Sequence, residues 1–452
     1  MTTMDEQTYA QYVHEDLAHL IHPQYYAPDH QAPVIFDHGE GVWLTDVKGK
    51  RYIDALSSLW NVAVGHGRGE LADAAAEQIR KVAFTNNYVG FSNVPAIQLA
   101  TKTVSLAYDN MAALFFTNSG SESNEGAFKT ARFYWNLQGR PTKTKLIARE
   151  RAYHGGTLAT MSMTGLPVFW KYFGPLVDGI VHTKKPDNLE CDCEPNTDGE
   201  CAHWLEAAIL REGPDTVAAF IAEPVKGAGG VWTPAPGYFE RIREICDKYE
   251  VLFIADEVIT GFGRTGYMFA LERWNVQPDI LSIAKAITSG YIPMGAFIVS
   301  HQIADALNNV PSDARFMHAY TNSAHPTASA VGLRNLRIIE EEHLVENAAA
   351  MGERLGDGFQ QALGKSAHVT NLRHLGLIAG LTLVKDARTG EAYAPADGIG
   401  GKVAKHMREE GGVITRFVGD NLVFAPPLVV NASEIDHIVE ATAKAISVVT
   451  GA

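Results

Sequence analysis

A lysine inside an apolar run is the strongest chemical signal in this sequence. Lys285 lies within Ile283-Ala284-Lys285-Ala286-Ile287, and taking an ammonium group out of water is costly unless it is paired or neutralised. Burial lowers the pKa of a lysine, which makes its amine a nucleophile that can form a Schiff base. A lysine whose stem lies along apolar surface while its charge stays in water gives the same pattern. Lys285 therefore needs supporting residues before it predicts a reaction.

Three other positions carry groups that would support such a lysine. Asp256 follows an apolar run, where a carboxylate can face a ligand and hold a cationic ring nitrogen. Ser119-Gly120-Ser121 precedes a helical pattern and offers the hydroxyl and N–H groups of a phosphate cradle. Tyr153 could stack on a planar ring. Singly, these residues are equally compatible with a turn, a helix cap or core packing. Together with Lys285 they are what pyridoxal phosphate requires.

Each of these residues follows a short apolar run with the character of a buried strand. The runs span residues 113–117, 145–148, 217–222, 251–255 and 280–284. They are continuous and rich in branched or aromatic residues, and helical patterns such as residues 236–249 lie between them. This alternation predicts an α/β fold with a mostly parallel sheet and helices on both faces. Ligands bind beyond the carboxyl ends of such strands, which is where all the residues above and Glu223 fall.

The last third of the chain is organised differently. A helical pattern runs from 326 to 342, and short strands are predicted at residues 375–384 and 421–426. Ser433 is predicted to cap a helix, and residues 39–54 to form a β-hairpin. We predict a large cofactor-binding domain of residues 66–330. A small α+β domain would combine residues 1–65 with residues 331–452.

Composition excludes several classes of function. Among 452 residues, 38 Lys and Arg stand against 52 Asp and Glu, a net charge of −14. Nucleic acids and anionic membranes both require a basic face. The sequence shows neither the start of a signal peptide nor an apolar run of the ~18 residues that a membrane-spanning helix needs. We therefore expect a cytoplasmic protein without a nucleic-acid or membrane partner.

Three of the four cysteines lie close together. Cys191, Cys193 and Cys201 precede His203 in an acidic stretch, and such a set could form a structural zinc site. Their C-x-C spacing differs from the commoner C-x-x-C, so a loop of reduced thiols is the alternative. We predict no metal at the catalytic site.

Several motifs resemble those of one enzyme family over nearly the whole chain. They are Asn118-Ser-Gly-Ser-Glu-Ser-Asn-Glu125, Tyr153-His-Gly-Gly156, Ala222-Glu-Pro224, Asp256-Glu-Val-Ile-Thr-Gly-Phe-Gly-Arg-Thr-Gly266, and Lys285 with Ser289-Gly-Tyr-Ile-Pro293. With this set the sequence resembles a class III aminotransferase of the pyridoxal-phosphate fold type I group. Within that group it is most similar to the omega-amino acid or amine:pyruvate aminotransferases.

The resemblance implies a role for each residue around the cofactor ring. Lys285 would carry pyridoxal 5′-phosphate covalently, and Asp256 would pair with its pyridine nitrogen. Tyr153 would stack on the ring, with Val258 on the opposite face and Glu223 near the ring edge. By the same resemblance, Lys285 and Asp256 are the catalytic residues.

The family also implies a shared phosphate site. Gly120 and Ser121 would hold the phosphate within one chain, while Thr321 and the backbone of Tyr320 would bind the phosphate of the partner subunit. The loop departs from the usual family pattern at three positions, Ala319, Asn322 and Ala324. A homodimer with shared active sites is implied, with a dimer of dimers as the alternative assembly.

The substrate pocket is predicted from the same resemblance. It would include Leu59, Trp60, Tyr153, and Tyr88 of the partner subunit, whose large side chains suit an amine with an apolar body. Position alone makes Trp60 equally compatible with the core. Arg416 matches the mobile arginine with which the family binds a carboxylate, and its planar fork suits that task.

The activity implied is a ping-pong transfer of an amino group from an omega-amino acid or primary amine to a keto acid, with pyruvate as the preferred acceptor. Two enzymatic alternatives stay open, an aminomutase of the same fold and a 2-oxoglutarate-dependent omega-aminotransferase. The donor is equally open among β-alanine, taurine, a diamine and a longer omega-amino acid.

Two readings from other classes are less well supported. Gly261-Phe-Gly-Arg-Thr-Gly266 matches G-x-G-x-x-G, but a dinucleotide fingerprint directly follows its strand and opens a helix. Five residues intervene here, which argues against a nicotinamide or flavin oxidoreductase. A non-enzymatic scaffold would have lost part of the site, whereas every expected group is present.

Overall fold

The computed structural model describes residues 4–184 and 200–451. Its strands are β1 (Phe36–Glu40), β2 (Trp43–Asp46), β3 (Arg51–Asp54), β4 (Met111–Thr117), β5 (Lys145–Arg149), β6 (Ile180–Thr183), β7 (Val217–Ala222), β8 (Leu252–Asp256), β9 (Ile280–Ile283), β10 (Gly295–Ser300), β11 (Val369–His374), β12 (Ala379–Leu383), β13 (Val413–Ile414), β14 (Arg416–Val418) and β15 (Asn421–Phe424).

Helices alternate with these strands through most of the chain. They are α1 (Glu6–His19), α2 (Ser57–Trp60), α3 (Gly69–Val82), α4 (Val94–Leu106), α5 (Gly120–Leu137), α6 (Leu158–Met163), α7 (His203–Glu212), α8 (Tyr238–Lys248), α9 (His301–Asn308), α10 (Pro326–Glu341), α11 (Leu344–Leu363), α12 (Ile399–Glu409) and α13 (Ala432–Thr450). None of the helices among the described residues combines the length and the apolarity that crossing a membrane would take.

A seven-stranded sheet forms the centre of the molecule. Its order is β4-β10-β9-β8-β7-β5-β6, and every adjacent pair from β9 to β6 is parallel. Only β10 runs against both of its neighbours. Strands β7, β8 and β9 are buried along their whole length, as the continuous apolar runs predict for strands covered on both faces. The predicted mostly parallel α/β sheet is confirmed.

The edge strand β4 is not buried on both faces along its whole length, contrary to the prediction from its apolar run. Its middle residues, Ala112 to Phe115, are partly or largely exposed. A strand at the edge of a sheet has a neighbour on one side only, so an apolar run does not require complete coverage there.

Two four-stranded sheets make up the rest, in the orders β1-β2-β3-β13 and β11-β12-β15-β14. The predicted hairpin is confirmed by the antiparallel pair β2–β3 and is extended by β1. The parallel pair β3–β13 joins an early part of the chain to a late one. This pairing is compatible with a small domain of residues 1–65 and 331–452 beside a large domain of residues 66–330, a division that stays a prediction.

Two local predictions for the last third were wrong. The strand predicted at residues 375–384 begins only at Ala379, because Gly376 has a φ of +52° and Leu375 N–H donates to the Ile378 carbonyl in a turn. Ser433 does not cap a helix. Asn431 caps α13, since its side chain accepts from Glu434 N–H at 3.1 Å, and Ser433 lies inside the first turn.

Candidate active site

The predicted site residues meet at one edge of the seven-stranded sheet. They stand at or just beyond the carboxyl ends of five strands: Ser119, Gly120 and Ser121 after β4, Tyr153 after β5, Glu223 after β7, Asp256 at the end of β8, and Lys285 after β9. Parallel strands end together, so residues up to 166 positions apart in the chain share one place.

Lys285 occupies a strained position immediately after β9. Its φ is +48°, in the left-handed region that residues with a Cβ seldom adopt. The pKa of the Lys285 ammonium is lowered to about 8, chiefly by desolvation and to a smaller extent by the charge of Arg416, while Asp256 and Glu223 oppose the shift. With this pKa, roughly a tenth of Lys285 is a neutral amine at pH 7, far more than of an ordinary lysine.

Asp256 is a buried carboxylate held by three donors. Asn124 Nδ2 donates to its Oδ2 at 2.8 Å, and His154 Nδ1 lies 2.7 Å from the same oxygen. The N–H of Val258 donates to Oδ1 at 3.1 Å. Only 4% of Asp256 is exposed, so these contacts fix the direction of its carboxylate. Such a carboxylate can hold a cationic ring nitrogen.

Glu223 ties two loops of the site together. Its carboxylate accepts from Tyr153 N–H at 3.0 Å and from Gly227 N–H at 3.1 Å. Burial raises the pKa of Glu223. Through the first contact it fixes the backbone of Tyr153, whose ring centroid lies 5.3 Å from that of Phe169.

The start of α5 has the form of an anion site. Ser119 caps the helix, its Oγ accepting from Glu122 N–H at 3.2 Å. The N–H groups of Gly120 and Ser121 lie in the first turn, where an α-helix provides no acceptor. Ser121 Oγ accepts from Gly156 N–H at 3.0 Å, which brings the loop after β5 against this helix end.

Two glycines permit this close packing. A Cβ on Gly120 would lie 2.9 Å from Cγ1 of Val258, and a Cβ on Gly155 would lie 2.4 Å from Ser121 Oγ. Neither distance is sterically possible, so larger residues would close the cradle. The first contact also places the Val258 side chain directly beside the helix start.

These groups fit pyridoxal phosphate. The site combines a half-buried amine of lowered pKa, a buried and directed carboxylate, and a glycine-lined helix start with N–H donors. In addition, Nε2 of His154 and Oδ1 of Asn124 are buried without a hydrogen-bond partner among the described residues. Polar groups left in this state commonly mark a site completed by a ligand.

Arg416 and Trp60 lie next to this centre. The Arg416 guanidinium sits 5.6 Å above the centroid of the Trp60 ring and donates to Gln24 Oε1 at 3.1 Å. Burial lowers the pKa of Arg416, whose charge acts on both Lys285 and Tyr153. The structure thus places the predicted carboxylate-binding residue at the predicted pocket.

The two neighbouring pocket residues differ in exposure. Trp60 is buried, with a φ of +59°, and Leu59 is 48% exposed. Ser57 and Ser58 also have positive φ values of 51° and 57°. Three of these four successive residues thus have positive φ, and the segment is a strained turn rather than a regular helix, as is common where a backbone presents side chains to a ligand.

Three predicted site residues are not brought to this centre within one chain. Tyr88 is 54% exposed and Thr321 is exposed. The Tyr320 hydroxyl donates to the Glu122 carbonyl at 3.4 Å, and burial raises the pKa of Tyr320 to about 12. The roles given to these residues require a second subunit and stay predictions.

Sequence reasoning missed three residues of the site. Asn124 and His154 orient Asp256, and Gln24 contacts Arg416. Both Asn124 and His154 stand inside the family motifs, which was the available signal. Nothing in the sequence around Gln24 indicates its contact.

The structure bears differently on the candidate zinc motif and on the G-x-G-x-x-G motif. Cys191 and Cys193 lie outside the described residues, Cys201 is buried, and the His203 ring packs 4.3 Å from that of Trp204, so the zinc question stays open. Residues 261–266 form a loop of turns whose Arg264 donates to the carbonyls of Leu377 and Pro426. No helix opens there, which contradicts a dinucleotide fingerprint.

Comparison with known proteins adds independent evidence. The family described as Aminotransferase class-III matches residues 25–446. The chain is 40% identical over 415 residues to the putrescine–pyruvate aminotransferase of Pseudomonas aeruginosa, covering 91% of this chain and 90% of that protein. It is 39% identical over 420 residues to gamma aminobutyrate transaminase 3, chloroplastic, of Solanum lycopersicum, covering 92% and 80%.

A solved structure is similar over almost its full length. The omega transaminase from Pseudomonas jessenii, determined in complex with PMP, superposes with a TM-score of 0.92 at 40% identity. The match covers 97% of this chain and 98% of that one.

Proposed function

The chain belongs to the class-III aminotransferase family and is a fold type I transaminase; we propose that it transfers the amino group of a primary amine or omega-amino acid to pyruvate. The observation that carries this proposal is the position of Arg416, above Trp60 and within charge range of Lys285. A keto acid brings a carboxylate to this place, and a planar guanidinium can bind it through two hydrogen bonds.

Lys285 and Asp256 are the proposed catalytic residues. Pyridoxal phosphate, when bound, supplies an electron-accepting ring that stabilises negative charge at the substrate carbon. Lys285 would hold the cofactor and, once released, accept the proton from the substrate carbon, because its lowered pKa makes the neutral amine available. Asp256 would keep the pyridine nitrogen protonated through the close approach of its carboxylate.

The remaining residues would fix the position of the cofactor's phosphate and ring. Gly120 and Ser121 would bind the phosphate through the start of α5, while Tyr153 and Val258 would enclose the ring. Glu223 would act by fixing the Tyr153 backbone, since its carboxylate is already engaged by two N–H groups. Glu223 would thus position Tyr153 and would not itself need to contact the edge of the cofactor ring.

The pocket must serve two kinds of molecule in turn. Leu59, Trp60 and Tyr153 offer apolar surface to the body of an amine, whereas Arg416 offers charge to a carboxylate. The only hydrogen bond of the Arg416 side chain among the described residues goes to a neutral amide, so a carboxylate is a stronger partner. One pocket can then accept an amine and a keto acid in successive half-reactions.

We also propose a homodimer with shared sites. The surface around Tyr88 carries several exposed apolar side chains, including Val89 and Phe91, and the exposed Thr321 belongs to the loop that reaches the partner in the family. Monomeric proteins seldom leave such a patch uncovered. A cytoplasmic location is the corresponding proposal for the cell.

A donor panel tests the proposed function. β-Alanine, taurine, a diamine and an arylalkyl amine would each be assayed with pyruvate and, separately, with 2-oxoglutarate. We expect turnover with pyruvate to exceed turnover with 2-oxoglutarate. The opposite preference would identify a 2-oxoglutarate-dependent enzyme, and conversion of an amino acid without any keto acid would identify an aminomutase.

A further inference from the structure

A second group of chemically capable side chains lies near the amino terminus. Asp16 on α1, His22 just after that helix, and His30 present three potential ligand atoms within 4.8 Å of one another. His22 Nε2 lies 3.1 Å and His30 Nε2 2.7 Å from the same oxygen, Oδ2 of Asp16. All three side chains are partly buried, with 18–30% exposed.

We propose that Asp16, His22 and His30 bind one zinc ion. Two imidazoles and one carboxylate are a common ligand set for this metal, with the fourth position left to water. Ligand atoms about 2.0–2.1 Å from a tetrahedral zinc are about 3.3 Å apart. The observed separations of 2.7 and 3.1 Å therefore need to widen by about 0.6 and about 0.2 Å to admit the ion.

The relative placement of the imidazoles supports a cation between them. Their ring centroids are only 3.8 Å apart, and both Nε2 atoms point at one carboxylate oxygen. A divalent ion satisfies both nitrogens and the carboxylate at once.

The site has a direct connection to Arg416. Its two histidines bracket residues 23–29, and within this segment Gln24 has a φ of +57° and accepts from Arg416 at 3.1 Å. Zinc would tie both ends of the segment to α1 and so hold Gln24 in place. Gln24 accepts from one of the Arg416 N–H groups that a bidentate contact with a carboxylate would need. Zinc, by holding Gln24 there, should therefore oppose keto-acid binding.

This effect on Arg416 rests on the proposed function, whereas zinc binding does not. Metal-stripped holoenzyme would be titrated with zinc chloride by calorimetry, in a Cys191→Ser, Cys193→Ser background that disables the other candidate site. We expect one ion per chain. His22→Ala, His30→Ala and Asp16→Asn should each weaken binding at least ten-fold, as loss of one of three ligands implies.

His14→Ala is the matched control, because His14 is an exposed histidine on the same helix. It should bind zinc like the parent, and circular dichroism should show that all variants are folded. Cobalt substitution gives a second readout, since visible bands of a low-coordinate site should appear in the parent and vanish in His30→Ala. Equal zinc binding in the parent and His30→Ala would overturn the proposal.

The coupling to Arg416 is measured separately. Zinc should raise KM for pyruvate about five-fold, the ratio that corresponds to one neutral hydrogen bond of about 1 kcal/mol. Gln24→Ala should remove this effect while keeping zinc binding. An unchanged KM would overturn the coupling and leave the metal site standing. Absence of transamination both with and without zinc would instead count against the proposed function.

Discussion

Arg416→Ala should separate the two half-reactions. Two charge-assisted hydrogen bonds contribute at most about 6 kcal/mol to binding a carboxylate. Two features reduce this value. Arg416 already donates to Gln24, a neutral bond of about 1 kcal/mol that the carboxylate must replace, and its guanidinium is only partly buried, so water screens the pair. The net loss should be about 2–4 kcal/mol, or about 30-fold to about 800-fold in kcat/KM for pyruvate.

Single-turnover absorbance spectra of the bound cofactor can follow each half-reaction alone. In Arg416→Ala, the rate at which an arylalkyl amine converts the bound cofactor to its amine form should change by less than about three-fold. That substrate has no carboxylate for Arg416 to bind. Arg416→Lys should recover part of the loss, since it keeps the charge without the planar fork. Arg408→Ala is the matched control and should behave like the parent, because Arg408 is a partly exposed arginine on the neighbouring helix α12 whose side chain is 41% exposed.

Two results would refute this reasoning. Equal losses in both half-reactions would make Arg416 a structural residue that supports Trp60. No loss in either would mean that another residue binds the acceptor carboxylate.

The remaining predictions concern the cofactor and the assembly. Lys285→Ala should still bind pyridoxal phosphate but lose the absorbance of the lysine-bound form and nearly all turnover; near-parental activity would disprove the assignment. Covalent uptake of the cofactor by apoenzyme should accelerate as pH rises through about 8, because only the neutral amine reacts and burial lowers the pKa of Lys285 to that value; a midpoint near 10 would contradict it. Asp256→Asn should slow the reaction by about 2–4 orders of magnitude with the fold intact, because a neutral amide no longer favours the ring cation; a loss of only a few-fold would argue against the pairing. Mixing inactive Lys285→Ala with an inactive Thr321 variant should restore part of the activity in hybrid dimers, and no recovery after verified subunit exchange would exclude shared sites.

The sequence predicted the central sheet well because its strands are unambiguous. Strand β7 was predicted at its observed bounds, since all six residues are apolar and a polar motif follows directly. Strand β10 was not identified, although it is equally buried. Local periodicity does not show where a strand pairs, and β10 is the strand that reverses direction.

The site was predictable at the strand ends but not between elements. Asp256 and Lys285 could be predicted because each is a charged residue at the end of an apolar run. The contacts that orient Asp256 join residues 132 and 102 positions apart, and the contact of Gln24 with Arg416 spans 392. Such pairings depend on how the sheets pack, which propensity and spacing do not encode.

The short parallel pairing of β3 with β13 fixes the backbone geometry of the proposed acceptor pocket. Ile53 N–H donates to the Gly412 carbonyl at 2.8 Å and Ala55 N–H to the Ile414 carbonyl at 2.9 Å. From this ladder the chain runs six residues beyond Asp54 to Trp60, and two residues beyond Ile414 to Arg416. Main-chain bonds therefore fix the separation of the two backbone segments that lead to the aromatic wall and to the guanidinium. Changes at either side chain should alter which molecules fit while leaving that backbone separation unchanged, so substrate range can diverge among such enzymes without rebuilding the scaffold.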